Sequence, residues 1–530
     1  MEPADITAEA SEEPRAQPTA DSGDSVDQAI AWAKQPLAGM TVLIVDRIRH
    51  SRSVLRKLVT DLGAEQVIDA VDIDETALTL RMQAVHLVVC EYLLEDGTTA
   101  QQLLETLRAE NLLPLATMVV VVAGERSSRC VASVAEFGPD AYLIKPLVTE
   151  EVRLRMARVS CRRRLMYELH AALAGDEIEA AIAEAQRLAQ LHPALLSEAF
   201  RLVSSLLIEQ GRIDAAEQLV KEALAKKAFP WALHLLAQIR VRQFRFDDAE
   251  RLLKTLITRH PDHLAAYDLM AKIMESRGLH ADALECLDEV SGRALPTLSR
   301  LRRTGALARQ VGDLGRAETA LMQVMQRTSR AALGSSEDYS NLLQVLVARG
   351  KVELAERIST EQGKRLAGHP DAIVVHGMLQ FSKMRGRGDR VASQLAMNEL
   401  VESIENGIAA MSVPLGVQAL EACVEDSFRD EGYRVGASLV RSKRVDRPTL
   451  HRIRQLIDQL SKTPENLLSI DEIPMTLERL QVEGWDHKLG PKVAESIDYW
   501  HRQIPDDAAL VASRARLTLL ARHYGIAQLQ

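Results

Sequence analysis

The sequence TVLIVD at residues 41–46 is a short apolar run that ends in an acid. Four similar runs follow it, at residues 65–70, 86–91 (HLVVCE), 117–123 (TMVVVVA) and 141–145 (AYLIK). The segments between these runs carry apolar residues at helical spacing. Uninterrupted Val, Ile and Leu runs are typical of strands that are buried on both faces of a parallel sheet. We therefore predict a doubly wound α/β domain with a five-stranded parallel sheet.

The chemically informative residues of this domain fall where the predicted strands end. Asp46 closes the first strand and is followed by Arg47. Glu91 closes the third strand, Ala123 the fourth and Lys145 the fifth. The carboxyl ends of parallel strands share one edge of the sheet, and ligands bind at that edge in doubly wound folds. We expect these five residues to form one pocket.

The runs VLIVD, LVVCEYLLEDG and EFGPDAYLIKP occur in the order and at the spacing of the receiver domain of bacterial response regulators. The chain resembles this family over residues 38–158. The resemblance implies the flavodoxin-like receiver fold, in which a phosphoryl group is transferred to an Asp at the end of strand three. It also implies two acids after strand one that hold Mg²⁺, a Ser or Thr after strand four, and a Lys after strand five.

The sequence departs from the receiver pattern at three of these five positions. Arg47 replaces one acid, Glu91 stands at the phosphoacceptor-equivalent position, and Ala123 replaces the hydroxyl, whereas Asp46 and Lys145 are kept. A guanidinium opposes metal binding, and the longer Glu91 side chain misplaces the attacking oxygen. We predict no phosphorylation at the usual site, no metal or other cofactor, and an ion pair of Glu91 with Arg47 and Lys145. The domain is then either a folded platform or is held in a constitutively active state by Glu91.

From about residue 160 the strand pattern ends and a repeated turn begins. It occurs six times: GDEIEA (175–180), GRIDAA (211–216), FRFDDA (244–249), GLHADA (278–283), GDLGRA (312–317) and GKVELA (350–355). The final alanines recur at intervals of 36, 33, 34, 34 and 38 residues. This pattern resembles the tetratricopeptide repeat (TPR), which has a period of 34 residues. The resemblance implies an all-α TPR solenoid of about six helix pairs over residues 160–385.

A TPR solenoid has a concave groove that is lined by the first helix of each pair. Carrying the family's groove positions onto these repeats gives a polar lining with a modest basic excess: Arg201, His234, Gln238, Arg242, Lys272, Arg302 and Arg309. The resemblance implies a binding site for a peptide or protein segment, and the basic excess favours an acidic one.

The two ends of the chain differ from the domains between them. Residues 1–37 contain eight acids and two bases, which predicts a disordered acidic tail. Residues 390–530 keep a helical pattern without the 34-residue period and are expected to form a helical region that caps the solenoid. A basic stretch at residues 434–454 is a candidate nucleic-acid contact. We do not expect that contact, because no aromatic residues are interleaved with the cations.

Composition excludes several classes of protein. Five scattered cysteines argue for a reducing compartment and against a zinc site or a disulfide framework. The chain has no secretory h-region and no apolar run of membrane-spanning length, so we predict a cytoplasmic protein that does not insert into membranes. We find no nucleophile–base pair, P-loop or dinucleotide fingerprint, and therefore expect no enzymatic activity.

These patterns together predict a signal-transduction adaptor of a two-component-type pathway. A sensor kinase or other signalling protein would bind the receiver, and a peptide or protein would bind the groove. One alternative is a phosphorylation-dependent response regulator with a TPR output, and another is a nucleic-acid-binding regulator acting through the basic stretch. A helix expected from Thr149 to about Leu173, without Pro or Gly, would join receiver and solenoid stiffly.

Overall fold

The computed structural model describes residues 34–94, 97–124, 128–328, 335–365, 368–442, 444–461, 467–470, 472–505, 507–524 and 526. Most of the predicted acidic tail, residues 1–33, lies outside these ranges. The chain divides into two compact units, residues 1–265 and 266–530, and each is considered by itself. Within the described ranges, no helix has both the length and the apolar character that crossing a membrane requires.

Strands and helices alternate in the N-terminal domain. The elements are β1 (Thr41–Val45), α1 (Arg49–Asp61), β2 (Gln66–Ala70), α2 (Ile73–Met82), β3 (Leu87–Glu91), α3 (Ala100–Ala109), β4 (Met118–Ala123), α4 (Ser128–Ala135), β5 (Ala141–Ile144) and α5 (Thr149–Leu165). The strand order is β2-β1-β3-β4-β5, and all neighbouring strands are parallel. The predicted doubly wound, five-stranded α/β fold is confirmed.

Each buried strand contributes to two apolar cores, because successive side chains point to opposite faces of a sheet. Val42 and Ile44 of β1 pack in a core with α1 and α5. Leu43 and Val45 pack in the other core with α2, α3 and α4. Leu37, which the sequence assigned to the tail, is fully buried in the first core.

Helix pairs follow the α/β domain. In the first unit they are α6 (Tyr167–Ala174) with α7 (Ile178–Leu191), α8 (Leu196–Glu209) with α9 (Ile213–Lys226), and α10 (Pro230–Arg242) with α11 (Phe246–Arg259). The series continues with α12 (Leu264–Ser276) and α13 (His280–Arg293), α14 (Leu298–Gln310) and α15 (Leu314–Thr328), and α16 (Ser336–Ala348) and α17 (Val352–Arg365). The predicted all-α, TPR-like solenoid is confirmed.

Each of these pairs turns through a residue in the left-handed backbone region. These residues are Asp176, Gly211, Phe244, Gly278, Gly312 and Gly350, with φ between 58° and 83°. Glycine adopts this conformation without a steric cost, which explains why the sequence motif shows Gly in the turn. Phe244 departs from the motif, since it holds φ at 59° and leaves 81% of its surface exposed.

The alanine that follows each turn packs between helices. Ala216, Ala249, Ala283, Ala317 and Ala355 are fully buried. The first repeat is displaced by one residue from the sequence alignment. Gly175 there has φ −81°, and the left-handed residue is Asp176. The left-handed residue and the buried alanine keep their five-residue spacing but are both shifted by one position, so Ala181 is buried in place of the exposed Ala180.

The C-terminal region continues the helical stacking. Its helices are α18 (Pro370–Gly386), α19 (Arg390–Gly407), α20 (Val413–Asp426), α21 (Arg429–Arg441), α22 (Arg447–Ser461), α23 (Glu472–Glu483), α24 (Leu489–Gln503) and α25 (Ala508–His523). The turn between α18 and α19 passes through Gly388, and that between α20 and α21 through Ser427, both left-handed. One apolar core extends from Ala271 to Leu517. The predicted solenoid limit at residue 385 thus falls inside a further pair of the same kind.

The helix expected from Thr149 to about Leu173 is interrupted at Met166, where φ is −94° and ψ is 8°. The expectation of one continuous helix was wrong. Val152 and Met156 of α5 pack in the α/β domain, whereas Met166 and Leu169 pack among the repeats. The interruption at Met166 thus separates a segment that packs in the α/β domain from one that packs among the repeats.

Candidate functional site

The strand-end residues meet at one edge of the sheet. Val45 pairs with Cys90, so Asp46 and Glu91 leave adjacent strands at the same level. Ala123 pairs with Ile144, and its carbonyl accepts a hydrogen bond from the N–H of Lys145 at 2.8 Å. Parallel pairing thus places the ends of β1, β3, β4 and β5, where the sequence analysis located these residues, along one edge of the sheet.

An ion pair between Glu91 and Lys145 occupies the centre of this pocket. The Lys145 ammonium donates to Glu91 Oε2 and also to Ser51 Oγ, at 3.3 Å. The Glu91 side chain is 11% exposed and that of Lys145 is 34% exposed. Burial raises the pKa of Glu91, and Lys145 opposes this rise while the negative charge of Asp46 adds to it. The pair thus compensates a carboxylate that burial alone would destabilise.

Asp46 is fully buried beside this pair. Its Oδ1 accepts the N–H of Ile48 at 2.8 Å, and the Arg52 guanidinium donates to its backbone carbonyl at 2.6 Å. Arg52 and Ser51 both belong to the first turns of α1, and sequence reasoning did not identify either of them. Both residues could have been identified from the sequence by their position, because they lie in the first turn of the helix that follows strand one.

Arg47 does not join the Glu91 ion pair, contrary to the expectation from the sequence. Its side chain is exposed, and in the described structure it makes no ion pair with Glu91. The chain bends at Arg47, so Arg52 rather than Arg47 lies against Asp46.

A Mg²⁺ ion, which the receiver resemblance implies, does not fit these side chains. The second acid is replaced by Arg47, the Glu91 carboxylate bonds Lys145, and Ala123 carries no hydroxyl. In the part of the chain that the structure describes, no group of three or more His, Cys, Asp or Glu side chains is placed to hold a metal ion.

The groove positions in the first unit differ in their accessibility. Arg201 on α8 and Arg242 on α10 are exposed. His234 is buried, lies 2.9 Å from the Gln238 amide, and packs against the His263 ring at a centroid distance of 5.2 Å. Arg201 and Arg242 are therefore the accessible groove cations of this unit, whereas His234 and Gln238 contact each other.

The groove positions in the second unit are largely engaged within the chain. Lys272 on α12 is exposed. Arg302 donates two hydrogen bonds to the buried Asp338 of α16, at 2.8 and 2.6 Å. Arg309 donates to Gln344 at 3.4 Å. Arg302 and Arg309 thus connect successive repeats, and sequence positions alone did not reveal these partners.

The basic stretch of the C-terminal region is also engaged in internal contacts. Three of its arginines pair with acids: Arg434 with Glu405, Arg452 with Glu421 and Arg454 with Asp507. Arg444 donates to three backbone carbonyls, those of Ile408, Ala409 and Met411. Lys443 lies outside the described residues. These contacts reduce the positive field that a nucleic-acid surface requires.

A charge network that sequence reasoning missed lies where α5 leaves the α/β domain. The buried Asp140 carboxylate accepts from Arg162 at 2.7 Å and from Arg163 at 2.9 and 3.0 Å. Arg162 also lies 3.5 Å from Glu198 of α8, and Arg163 bonds the carbonyl of Leu115. This network connects the α/β domain to the second helix pair.

The imidazole of His170 on α6 completes this junction. It lies 3.4 Å from Arg163 and is itself buried. Burial and the positive charge of Arg163 lower the pKa of His170 to about 4. The imidazole is therefore neutral near pH 7 and adds no positive charge beside the two arginines.

Comparison with known proteins identifies the repeats. A family model described as tetratricopeptide repeat matches residues 207–273. The chain contains TPR-type repeats. No curated protein matches the chain. The family match supports protein binding as the general role of this region.

Several solved TPR structures are similar to the chain at low identity. A tetratricopeptide repeat protein from Parabacteroides merdae is 13% identical, covering 46% of this chain and 93% of its own, with a TM-score of 0.31. The C-terminal part of a TPR repeat-containing protein from Cytophaga hutchinsonii is 12% identical, covering 48% and 98%, with a TM-score of 0.31. The TPR domain of P58(IPK) is 15% identical, covering 59% and 94%, with a TM-score of 0.21.

Proposed function

We propose that the protein is a non-enzymatic cytoplasmic signalling adaptor with two protein-binding parts. Its receiver-like α/β domain docks a sensor kinase or other signalling protein of a two-component-type pathway without being phosphorylated at the usual site. Its TPR groove binds a second protein. The observation that carries the proposal is the ion pair between the buried Glu91 and the partly exposed Lys145 at the carboxyl ends of β3 and β5.

This ion pair opposes phosphoryl transfer for a physical reason. An attacking carboxylate oxygen must be free and in line with the phosphorus atom, and positioning governs the rate of such transfers. In this pocket Glu91 already bonds Lys145, and Ala123 offers no hydroxyl to a bound phosphoryl group. The domain then acts through the surface that it presents to partners.

The proposal is tested by incubating the full chain with Mg²⁺ and either acetyl phosphate or a sensor kinase. We expect no hydroxylamine-labile acyl phosphate, whereas an ordinary receiver domain treated in parallel should acquire one. Combining Arg47→Asp, Glu91→Asp and Ala123→Thr restores the receiver pattern and provides a matched variant. A labile phosphate on the unmodified chain would show that it is a phosphorylation-dependent regulator instead.

The groove part of the proposal rests on the exposed cations Arg201 and Arg242 of the first unit. Exposed guanidinium groups suit the carboxylates of an acidic partner segment. Proteins captured by the full chain from its native cell extract should include a partner that is lost when both arginines are replaced by Glu. The matched control replaces Arg187 and Arg251 by Glu, because both are exposed on second helices of their pairs, outside the groove lining, and the change in charge is the same. Equal capture by all three forms would contradict a role for these cations.

A further inference from the structure

The turn between α10 and α11 departs from the other turns of the repeats. Four of the six turns place Gly in the left-handed backbone region and the first places Asp176 there, whereas this turn holds Phe244 at a φ of 59°. The Phe244 side chain is also 81% exposed. A left-handed backbone is sterically unfavourable for a residue with a β-carbon, and an exposed ring gains little from burial. Glycine would therefore serve the fold at least as well as Phe244 does.

The turn that carries Phe244 is held firmly in place. The Glu217 carboxylate of α9 accepts two hydrogen bonds from the Arg240 guanidinium and one from the Gln243 amide, all at 2.9 Å. Chiefly through Arg240, these bonds hold the pKa of Glu217 well below its usual range. The N–H of Phe244 itself donates to the carbonyl of Val241 at 3.0 Å. An aromatic side chain on such a turn is covered by a partner without the entropy cost of ordering a loop.

The Phe244 ring lies beside the groove. It meets the half-buried Phe246 ring edge-on, at a centroid distance of 6.4 Å. Arg242, the last residue of α10 and an exposed cation of the groove, precedes Phe244 by two positions. Two residues of chain span at most about 7 Å, so Arg242 and Phe244 are within reach of one bound segment.

We propose that the acidic partner segment of the groove carries an aliphatic or aromatic side chain beside its acids, and that this side chain covers Phe244. The inference rests on the proposed function, in which that segment binds Arg201 and Arg242. Its carboxylates meet the two arginines, and its apolar side chain packs on the Phe244 ring. A few well-placed aromatic anchors supply much of the binding energy of an interface. Phe244 then serves binding rather than stability, as strained residues at functional sites do.

The charges around the turn favour an acidic occupant. Two nearby acids, Glu217 and Asp248, are each bonded by two bases. Asp247 and Glu209 are exposed and add two negative charges, whereas Arg242 adds one positive charge and forms no ion pair among the described residues. This set carries one more positive than negative charge, and Arg201 of the groove adds another. A partner segment with carboxylates beside its apolar side chain complements this excess.

Photocrosslinking in the full chain tests what covers the ring. Phe244→p-benzoylphenylalanine keeps an aromatic side chain there and, on irradiation, links to C–H bonds that cover it. In native cell extract this form should link to the partner that is lost when Arg201 and Arg242 are replaced by Glu. Mass spectrometry should place the link on an apolar residue beside Asp or Glu residues of that partner. The control carries the same group at Leu191, which is 59% exposed on α7, the second helix of its pair, and should give no such link.

Calorimetry then measures the contact itself, with a synthetic peptide of the linked segment and the same peptide with its apolar residue replaced by Ser. Phe244→Gly and the Ser replacement should each weaken binding by at least about tenfold. The two changes together should weaken it little further, because both remove the same contact. Phe244→Tyr should keep the affinity, whereas Phe244→Gly should lose it without lowering the melting temperature, which separates a role in binding from one in stability.

The outcomes separate this inference from the proposed function. No link from position 244, an equal link from position 191, or additive losses in the calorimetry would overturn the inference while leaving the binding of the groove cations intact. Capture of the partner that survives replacement of Arg201 and Arg242 by Glu would overturn the proposed groove function, and this inference with it. A link to residues 1–33 of the chain itself would show that the acidic tail covers Phe244 and would contradict an external partner.

Discussion

Replacing Lys145 by Met should destabilise the α/β domain, because it leaves the Glu91 carboxylate buried without its cation. Breaking a fully buried ion pair in this way costs about 3–5 kcal/mol. The Lys145 side chain is 34% exposed, so solvent screens part of the interaction. We therefore expect a loss of about 2 kcal/mol in the free energy of unfolding of this domain near pH 7.

The loss should depend on pH in a defined direction. Burial already raises the pKa of Glu91 in the folded protein, and Lys145 lowers it. Removing Lys145 raises this pKa further, so the folded variant binds a proton more readily than the unfolded chain does. A carboxyl group with a raised pKa contributes stability at low pH and loses it as the pH rises through the folded pKa. The deficit should be largest near pH 8 and should shrink towards pH 5.

Hydrogen exchange of peptides from β3 and β5, measured over increasing denaturant, gives the opening free energy of this domain within the full chain. The control is the double variant Glu91→Leu with Lys145→Met, which replaces the ion pair by apolar side chains of similar volume. Such replacements are often neutral, so the double variant should lie within about 1 kcal/mol of the unmodified chain. A single variant as stable as the unmodified chain at pH 8, or a deficit that grows on acidification, would refute the reasoning.

Three further predictions concern the repeats and their junction with the α/β domain. Ala249→Leu should overpack a helix pair and lower the free energy of unfolding by about 1–3 kcal/mol. An unchanged melting temperature would argue against close packing around Ala249. Phe244→Gly should leave the melting temperature unchanged or raise it, because a left-handed conformation costs an L-residue about 1–2 kcal/mol. A clear decrease would show that contacts of the exposed Phe244 ring outweigh this cost. A Gly/Ser segment inserted directly after Met166, where α5 ends, should abolish any influence of binding at one domain on binding at the other while leaving each affinity intact. Calorimetry with captured partners measures both affinities, and an absence of coupling in the unmodified chain would reduce the junction to a spacer.

The sequence was sufficient to predict the α/β domain and its pocket, because the relevant signals are local. An apolar run defines a strand, the residue after it lies at the sheet edge, and parallel pairing brings those edges together. Asp46, Glu91, Ala123 and Lys145 lie at the carboxyl ends of β1, β3, β4 and β5. The reasoning failed for Arg47, because the direction of a side chain at a bend depends on backbone angles that no residue pattern specifies.

The groove illustrates a different limit. Family positions identify which residues lie on the first helix of each pair, but the neighbouring repeat decides whether a side chain is accessible. Arg302 is held by Asp338, 36 positions later, and His234 is buried against its neighbours. Both results depend on contacts between repeats, and a single sequence does not show which residues meet there. Arg201, Arg242 and Lys272, by contrast, are exposed.

The repeat pattern shows how an architecture can continue after its sequence period has ended. Left-handed turns occur at Gly312, Gly350, Gly388 and Ser427, at intervals of 38, 38 and 39 residues rather than 34. Helices α18 and α19 have 17 and 18 residues, whereas the helices of the earlier pairs have at most 15. The intervals that end at Gly388 and at Ser427 each contain one of these longer helices. An addition of three or four residues is about one helical turn, so it lengthens a helix without rotating its apolar face away from the core. The helices therefore remain stacked although the 34-residue period is lost. The left-handed turn identifies these helix pairs more reliably than the spacing between turns does.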